Sequence, residues 1–175
     1  VWVIPRRDAP MVRVELSLRL GYWDAPDPEA LMMLGALMEA GTVDLDATRW
    51  GAAIDDLGAQ VSLGVGGERA WVDVEAIRGT EEAALALARD ALLHPRLSRR
   101  ELRRIRDAWV RGADDAWRSG AKVRRAAMAA SIYEADQPRG AVRTAADWRS
   151  VDVGRVRAAH AWLIAHAEPA VLVVG

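Results

Sequence analysis

The sequence predicts an α+β domain of two layers, with helices packed on one face of a largely antiparallel sheet. Residues 12–20 alternate Val12, Val14, Leu16, Leu18 and Leu20 with Arg13, Glu15, Ser17 and Arg19, the period of two that gives a strand one buried and one exposed face. Residues 59–63 and 70–77 are two further β-rich runs around Gly64-Val65-Gly66-Gly67-Glu68-Arg69, which reads as a hairpin whose glycines permit positive φ. Elsewhere apolar residues recur at intervals of three and four, the signature of helices with one buried face.

Taken in order, the chain opens on the apolar run 1–4, ended by Pro5 and the charged Arg6, Arg7 and Asp8, a strand and a turn. Asp27 before Pro28 and Glu29 marks a helix start: a side-chain acceptor for free amides, a proline at the first helical position, an acid at the positive end. That helix runs to about Ala40, stops at Gly41, and is apolar almost all round, so burial on more than one side is expected. A second helix follows Asp46 with Trp50, Ile54 and Leu57 on one line and ends at Gly58. In the second hairpin strand Trp71, Asp73 and Glu75 share one face, the outer one, and Val72, Val74 and Ala76 the other.

Thr80 with Glu81 and Glu82 opens a third helix, carried by Ala84, Leu85, Ala88 and Leu92 and broken at His94-Pro95. Ser98 and Glu101 have capping-box spacing and start a long helix to about Trp117. Gly120 interrupts it, and a further helix carries Val123, Ala127, Ala130 and Ile132 to about Ala135. A loop over 136–140 and a turn over 147–151 containing Trp148 precede the last helix, capped by Asp152 and lined by Val156, Ala159, Leu163 and Ile164. Residues 170–174 form a β-branched run expected to be buried on both faces.

With 51% hydrophobic and 28% charged residues and a formal net charge of -1, no global charge excess points to a polyanionic partner, and nucleic acid is not expected. The absence of cysteine removes disulfides, thiolate nucleophiles and thiolate metal sites. No apolar run approaches the ~20 residues of a membrane span, so the expectation is a soluble protein of the bacterial cytoplasm or periplasm. Residues 1–175 read as a single domain, expected to be a piece of a longer chain with at least one more similar domain, since Val1 already lies in a strand.

Few residues offer chemistry. His94 lies in a loop, and His160 and His166 are six apart on one helix and so face different ways; metal-binding pairs commonly sit at i and i+4. The glycines near 64–67 lack the Lys-Ser/Thr pair and the following helix of a phosphate loop. No Gly-x-Ser-x-Gly elbow is present. Residues 96–125 carry eleven basic residues against four acidic ones, which leaves the rest of the chain acidic. The plain reading is a solvated helix face; nucleic acid or an acidic partner surface is its other recipient.

Several phrases, in order, carry a resemblance. They are Leu20-Gly21-Tyr22-Trp23-Asp24 before the first helix and Met38-Glu39-Ala40-Gly41-Thr42 ending it, then Ile54-Asp55-Asp56-Leu57-Gly58-Ala59 before the hairpin. Leu92-Leu93-His94-Pro95 with Glu101 beyond it and Ala170-Val171-Leu172-Val173-Val174-Gly175 follow. Over essentially all 175 residues the chain resembles the pitrilysin and mitochondrial processing peptidase family, the inverzincin zinc peptidases, which implies a pitrilysin-like metallopeptidase domain.

In active members the first helix carries H-x-x-E-H, two His for zinc and a Glu as general base. Counted back from Gly41-Thr42, the His positions fall on Met32 and Ala36 and the Glu position on Gly35, none of which can ligate zinc or accept a proton. The third ligand, a Glu, would fall near residues 107–111, where there is none. The resemblance therefore implies the first domain of a metal-free, non-catalytic half, with no catalytic residue, metal or other cofactor of its own and with zinc in the active partner half. Its expected role is to enclose the peptide chamber and support an active H-x-x-E-H half or subunit, as in a heterodimer acting on peptides. By the same resemblance the candidate peptide-binding edge is Gln60, Val61, Ser62, Leu63 and Gly64, a strand edge to which a peptide adds. The alternative is a scaffold or interaction module with the same fold and no role in proteolysis. In either case Met32, Met33, Leu34 and Leu37 are expected to fill the core, contributing about 1.5 to 3 kcal/mol each.

Overall fold

A five-stranded sheet in the order β1-β5-β2-β4-β3 forms one layer. The computed structural model describes residues 1–20, 25–66, 68–116, 118–133 and 143–175. The phrase Gly21-Tyr22-Trp23-Asp24, Gly67 of the hairpin link, Trp117, Ala135 and the predicted loop 136–140 lie outside the described residues. The strands are β1 (Trp2–Ile4), β2 (Met11–Arg19), β3 (Gln60–Gly66), β4 (Arg69–Ile77) and β5 (Glu168–Val174). The helices are α1 (Pro28–Met38), α2 (Ala47–Asp56), α3 (Glu81–Leu93), α4 (Arg99–Ala116), α5 (Gly120–Ile132), α6 (Ala145–Ser150) and α7 (Val153–His166). The architecture is the expected α+β one. All strand pairs are antiparallel except β1 with β5. No helix among the described residues is long and apolar enough to cross a membrane.

The period-two pattern sets which face is covered. Val14 pairs with Val74 on one side and Val173 on the other, so Val12, Leu18, Val72, Val74 and Ala76 meet the helices on one face. Trp71, Asp73 and Glu75 lie on the opposite, half-exposed face, as their alternation predicts. Under the covered face the core is built on Leu31, Met33, Leu34, Leu37, Val156 and Leu163, all essentially without solvent contact. Trp109 and Trp148 meet edge to face with ring centroids 4.8 Å apart and tie α6 to α4.

Four expectations are corrected. The hairpin link is shorter than the sequence implies, because β3 continues through Gly66 and β4 begins at Arg69. Gly64 is therefore a strand residue, and it is glycine because any side chain there would overlap the Trp71 ring lying across it; among the described residues positive φ falls on Gly41, Gly58 and Gly79. β5 is half-buried rather than buried on both faces, since only one face of the sheet carries helices. Residues 145–150 are a short helix, not a turn, because the Thr144 hydroxyl and the Asp147 amide and carboxylate satisfy each other in a capping box. At the start of α4 the box is one-sided: Ser98 Oγ accepts from the Arg100 and Glu101 amides, but the Glu101 carboxylate turns to Arg104 at 2.8 Å.

Candidate functional site

The start of α1 is fixed from three directions. Asp27 Oδ1 accepts from the Ala30 amide at 3.0 Å, capping the helix. The Arg155 guanidinium of α7 grips the same carboxylate with two bonds of 2.6 and 2.8 Å. Burial pushes the Asp27 carboxyl up, but the Arg155 hydrogen bond, the Ala30 amide and the Arg155 charge outweigh it, and the group lies below the usual carboxylate range. Two residues on, Glu29 pairs with Arg143 at 3.0 Å, both side chains well shielded. At its other end α1 stops because Gly41 takes φ of 100°, where a side chain would strike the Leu45 carbonyl.

Between these anchors lie Met32, Gly35 and Ala36. Met32 and Ala36 are partly buried and packed against the core cluster. Gly35 is buried, and a Cβ there would lie 2.7 Å from the Val65 nitrogen and 3.3 Å from the Gly64 carbonyl carbon. The backbone of β3 thus fills the space that a side chain at position 35 would need. A thioether and two positions without a donor atom cannot hold zinc, and a carboxylate at 35 has no room, so these residues do not fit a metal centre. Among the described residues no group of three or more His, Cys, Asp or Glu is placed to hold an ion.

The other candidates fall as follows. In the 107–111 stretch of α4, Asp107 and Arg111 face solvent while Trp109 and Val110 pack inward. His94 is exposed at the end of α3, His160 donates from Nε2 to the Leu92 carbonyl at 2.8 Å, and His166 donates from Nδ1 to Trp162 at 2.9 Å. The structure does not bring the three histidines together into a site.

β3 is the last strand of the sheet, so its outer side is an edge. Along it Gln60 and Ser62 are exposed, Val61 is half-buried, and Leu63 and Gly64 are buried. The Leu63 amide donates to Glu39 Oε1 at 3.0 Å. Glu39, at the C-terminal end of α1, therefore occupies the middle of the edge. No local sequence signal marks this contact, which spans 24 residues; the same holds for Asp27 with Arg155, which are 128 apart.

No protein-family model matches the sequence, and no curated protein matches it. Solved structures do. The chain is similar to the crystal structure of a peptidase M16 inactive domain from Pseudomonas fluorescens, with a TM-score of 0.88 and 19% identity over 99% of this chain and 43% of that one. It is also similar to a protease from Helicobacter pylori, with a TM-score of 0.81 and 15% identity over 99% and 43% of the two chains. The periplasmic protease PqqL from Escherichia coli matches with a TM-score of 0.79 and 14% identity over 96% and 19%. The chain spans less than half the length of each of these structures. At such identities the likeness is one of fold: these 175 residues have the fold of an M16 peptidase inactive domain.

Proposed function

We propose that this chain is a non-catalytic, pitrilysin-like domain that encloses the peptide chamber of a zinc endopeptidase and supports an active half carrying H-x-x-E-H. The observation that carries the reading is the meeting of α1 and β3: on a fold shared with an M16 peptidase inactive domain, the β3 backbone closes over Gly35, and we read Met32, Gly35 and Ala36 as the three positions of the metal motif. Zinc then belongs to the active half, and the chain contributes shape and surface. The edge Gln60, Val61, Ser62, Leu63 and Gly64 is the part of it that would meet peptide, by adding a strand.

Elemental analysis of the purified chain tests the first part, with zinc far below one ion per chain expected. Stoichiometric zinc, accompanied by a peptidase activity lost on chelation, would overturn it. One observation favours the second reading, a scaffold without a role in proteolysis: the Leu63 amide already bonds Glu39, so an incoming strand must compete for it. Omitting the chain from a preparation of its H-x-x-E-H partner separates the two. Loss of peptidase activity fits the chamber role, and full activity without the chain fits the scaffold.

A further inference from the structure

The basic run 96–125 does not behave as a uniform solvated face. Part of it is internally neutralised, since Arg104 pairs with Glu101 and Arg118 with Asp115, whereas Asp114 turns out of the run to Arg149 of α6. Arg96, Arg99 and Arg103, joined by Arg157 of α7, have no carboxylate partner among the described residues. These four line two neighbouring depressions. One, of about 330 Å³, lies among Arg99, Leu102, Arg103, Arg106 and the first residues of α7, Val153 and Gly154. The other, of about 460 Å³, is bounded by Val43, Pro95, Arg96, Leu97, Ser98 and Arg157. Each is walled by the entry into α4 on one side and the first turns of α7 on the other, so the two follow one another along the same seam.

We propose that this seam is a docking groove for an acidic, partly apolar polypeptide segment, a proposal that stands on the lining of the seam and goes beyond the chamber reading. Guanidinium groups present a planar fork of donors that matches carboxylates with two parallel bonds. Arg106 is already oriented, donating to the Val151 carbonyl at 3.3 Å. The single carboxylate in the lining, Asp152, caps α7, accepting from the Arg155 amide at 2.9 Å, and makes no ion pair with these four arginines among the described residues. Between the charges the floor is apolar: Leu102 and Val153 are buried, Leu97 is half-buried, and Val43 stands 65% exposed at the rim. The groove thus asks for carboxylates spaced by aliphatic side chains.

The same features argue against nucleic acid. Neither depression contains an aromatic side chain on which a base would stack. The chain as a whole carries a net charge of -1, so it offers a long phosphate backbone no global attraction beyond the seam. A short acidic peptide senses the local charge only, because charges beyond a Debye length of roughly 8 Å are screened at physiological salt.

The test is fluorescence anisotropy of a labelled short peptide of alternating Glu and Leu, titrated with the 175-residue chain at low and at physiological salt. Binding is expected, weakened by salt. The exposed double variant Arg99→Glu with Arg103→Glu is expected to weaken it by at least about tenfold, and Arg157→Glu, from the opposite wall, by several-fold. Arg124→Glu with Arg125→Glu on α5 makes the same change of charge away from the seam and is expected to leave binding unchanged; circular dichroism of all variants is expected to match the parent. Equal loss in the α5 variant, no binding at low salt, or tighter binding of a short oligothymidylate would each overturn the proposal.

Discussion

Helices α1 and α4 lie against each other in the same layer and have opposite chemistry. Seven of the eleven residues of α1 are buried, and its one acid, Glu29, is paired with Arg143. α4 carries six arginines over eighteen residues and, among its described residues, buries only Leu102 and Ile105. The difference is one of position. α1 sits between the sheet and the other helices, where a polar group without a partner costs several kcal/mol, so a helix there can keep charge only if something such as a metal ion compensates it. Without such a partner, methionine, leucine and glycine are the stable content. α4 has a solvent side, where arginine costs little and remains available to another molecule.

The largest break in this comparison comes from returning charge to α1. Gly35→Glu is expected to destabilise the chain by about 5 kcal/mol, overpacking alone costing ~1–3 kcal/mol and the buried carboxylate supplying the rest. Chemical denaturation would read it, and an unchanged midpoint would mean that β3 yields readily at Val65. Leu34→Ala, which only removes volume from a site with no solvent contact, is expected to cost about 3 kcal/mol.

Smaller effects probe the anchors. Asp27→Asn keeps a good helix cap but loses the ion pair with Arg155, at about 1.5 kcal/mol near neutral pH. Because the Asp27 carboxyl is held below its ordinary value in the folded chain, its contribution is full above the unfolded value of ~3.9 and is lost as pH falls through the folded one. Denaturation midpoints of parent and variant should therefore converge below about pH 4. Asp147, lowered by its bonds from the Thr144 amide and hydroxyl, loses its contribution in the same acidic window, so the parent weakens there in both. Glu39→Ala frees the Leu63 amide and should cost about 1 kcal/mol; if the β3 edge takes peptide, the same change should tighten peptide binding. Smallest is Arg103→Glu, within roughly 0.5 kcal/mol in stability while weakening the acidic peptide; a large loss of stability would mean that α4 depends on its arginines for packing.

Much of this molecule was legible from short-range pattern. The alternation of β2, the caps Asp27 and Asp152, and the stop at Gly41 each depend on residues within one turn or one strand repeat, so the sequence displays cause and effect side by side. The candidate site was legible only by counting: Met32, Gly35 and Ala36 follow from their distance to Gly41-Thr42. Tertiary structure alone decided what surrounds them. Gly35 is glycine because Val65 arrives there from another element, Gly64 because Trp71 lies across it, and Leu63 is engaged because Glu39 reaches its amide. The seam between the entry of α4 and the first turns of α7 belongs to the same class, since Arg103 and Arg157 line successive parts of it only once folding brings those segments near each other. Periodicity and capping are written in neighbours along the chain, whereas close approach and charge convergence arise between residues that folding brings together.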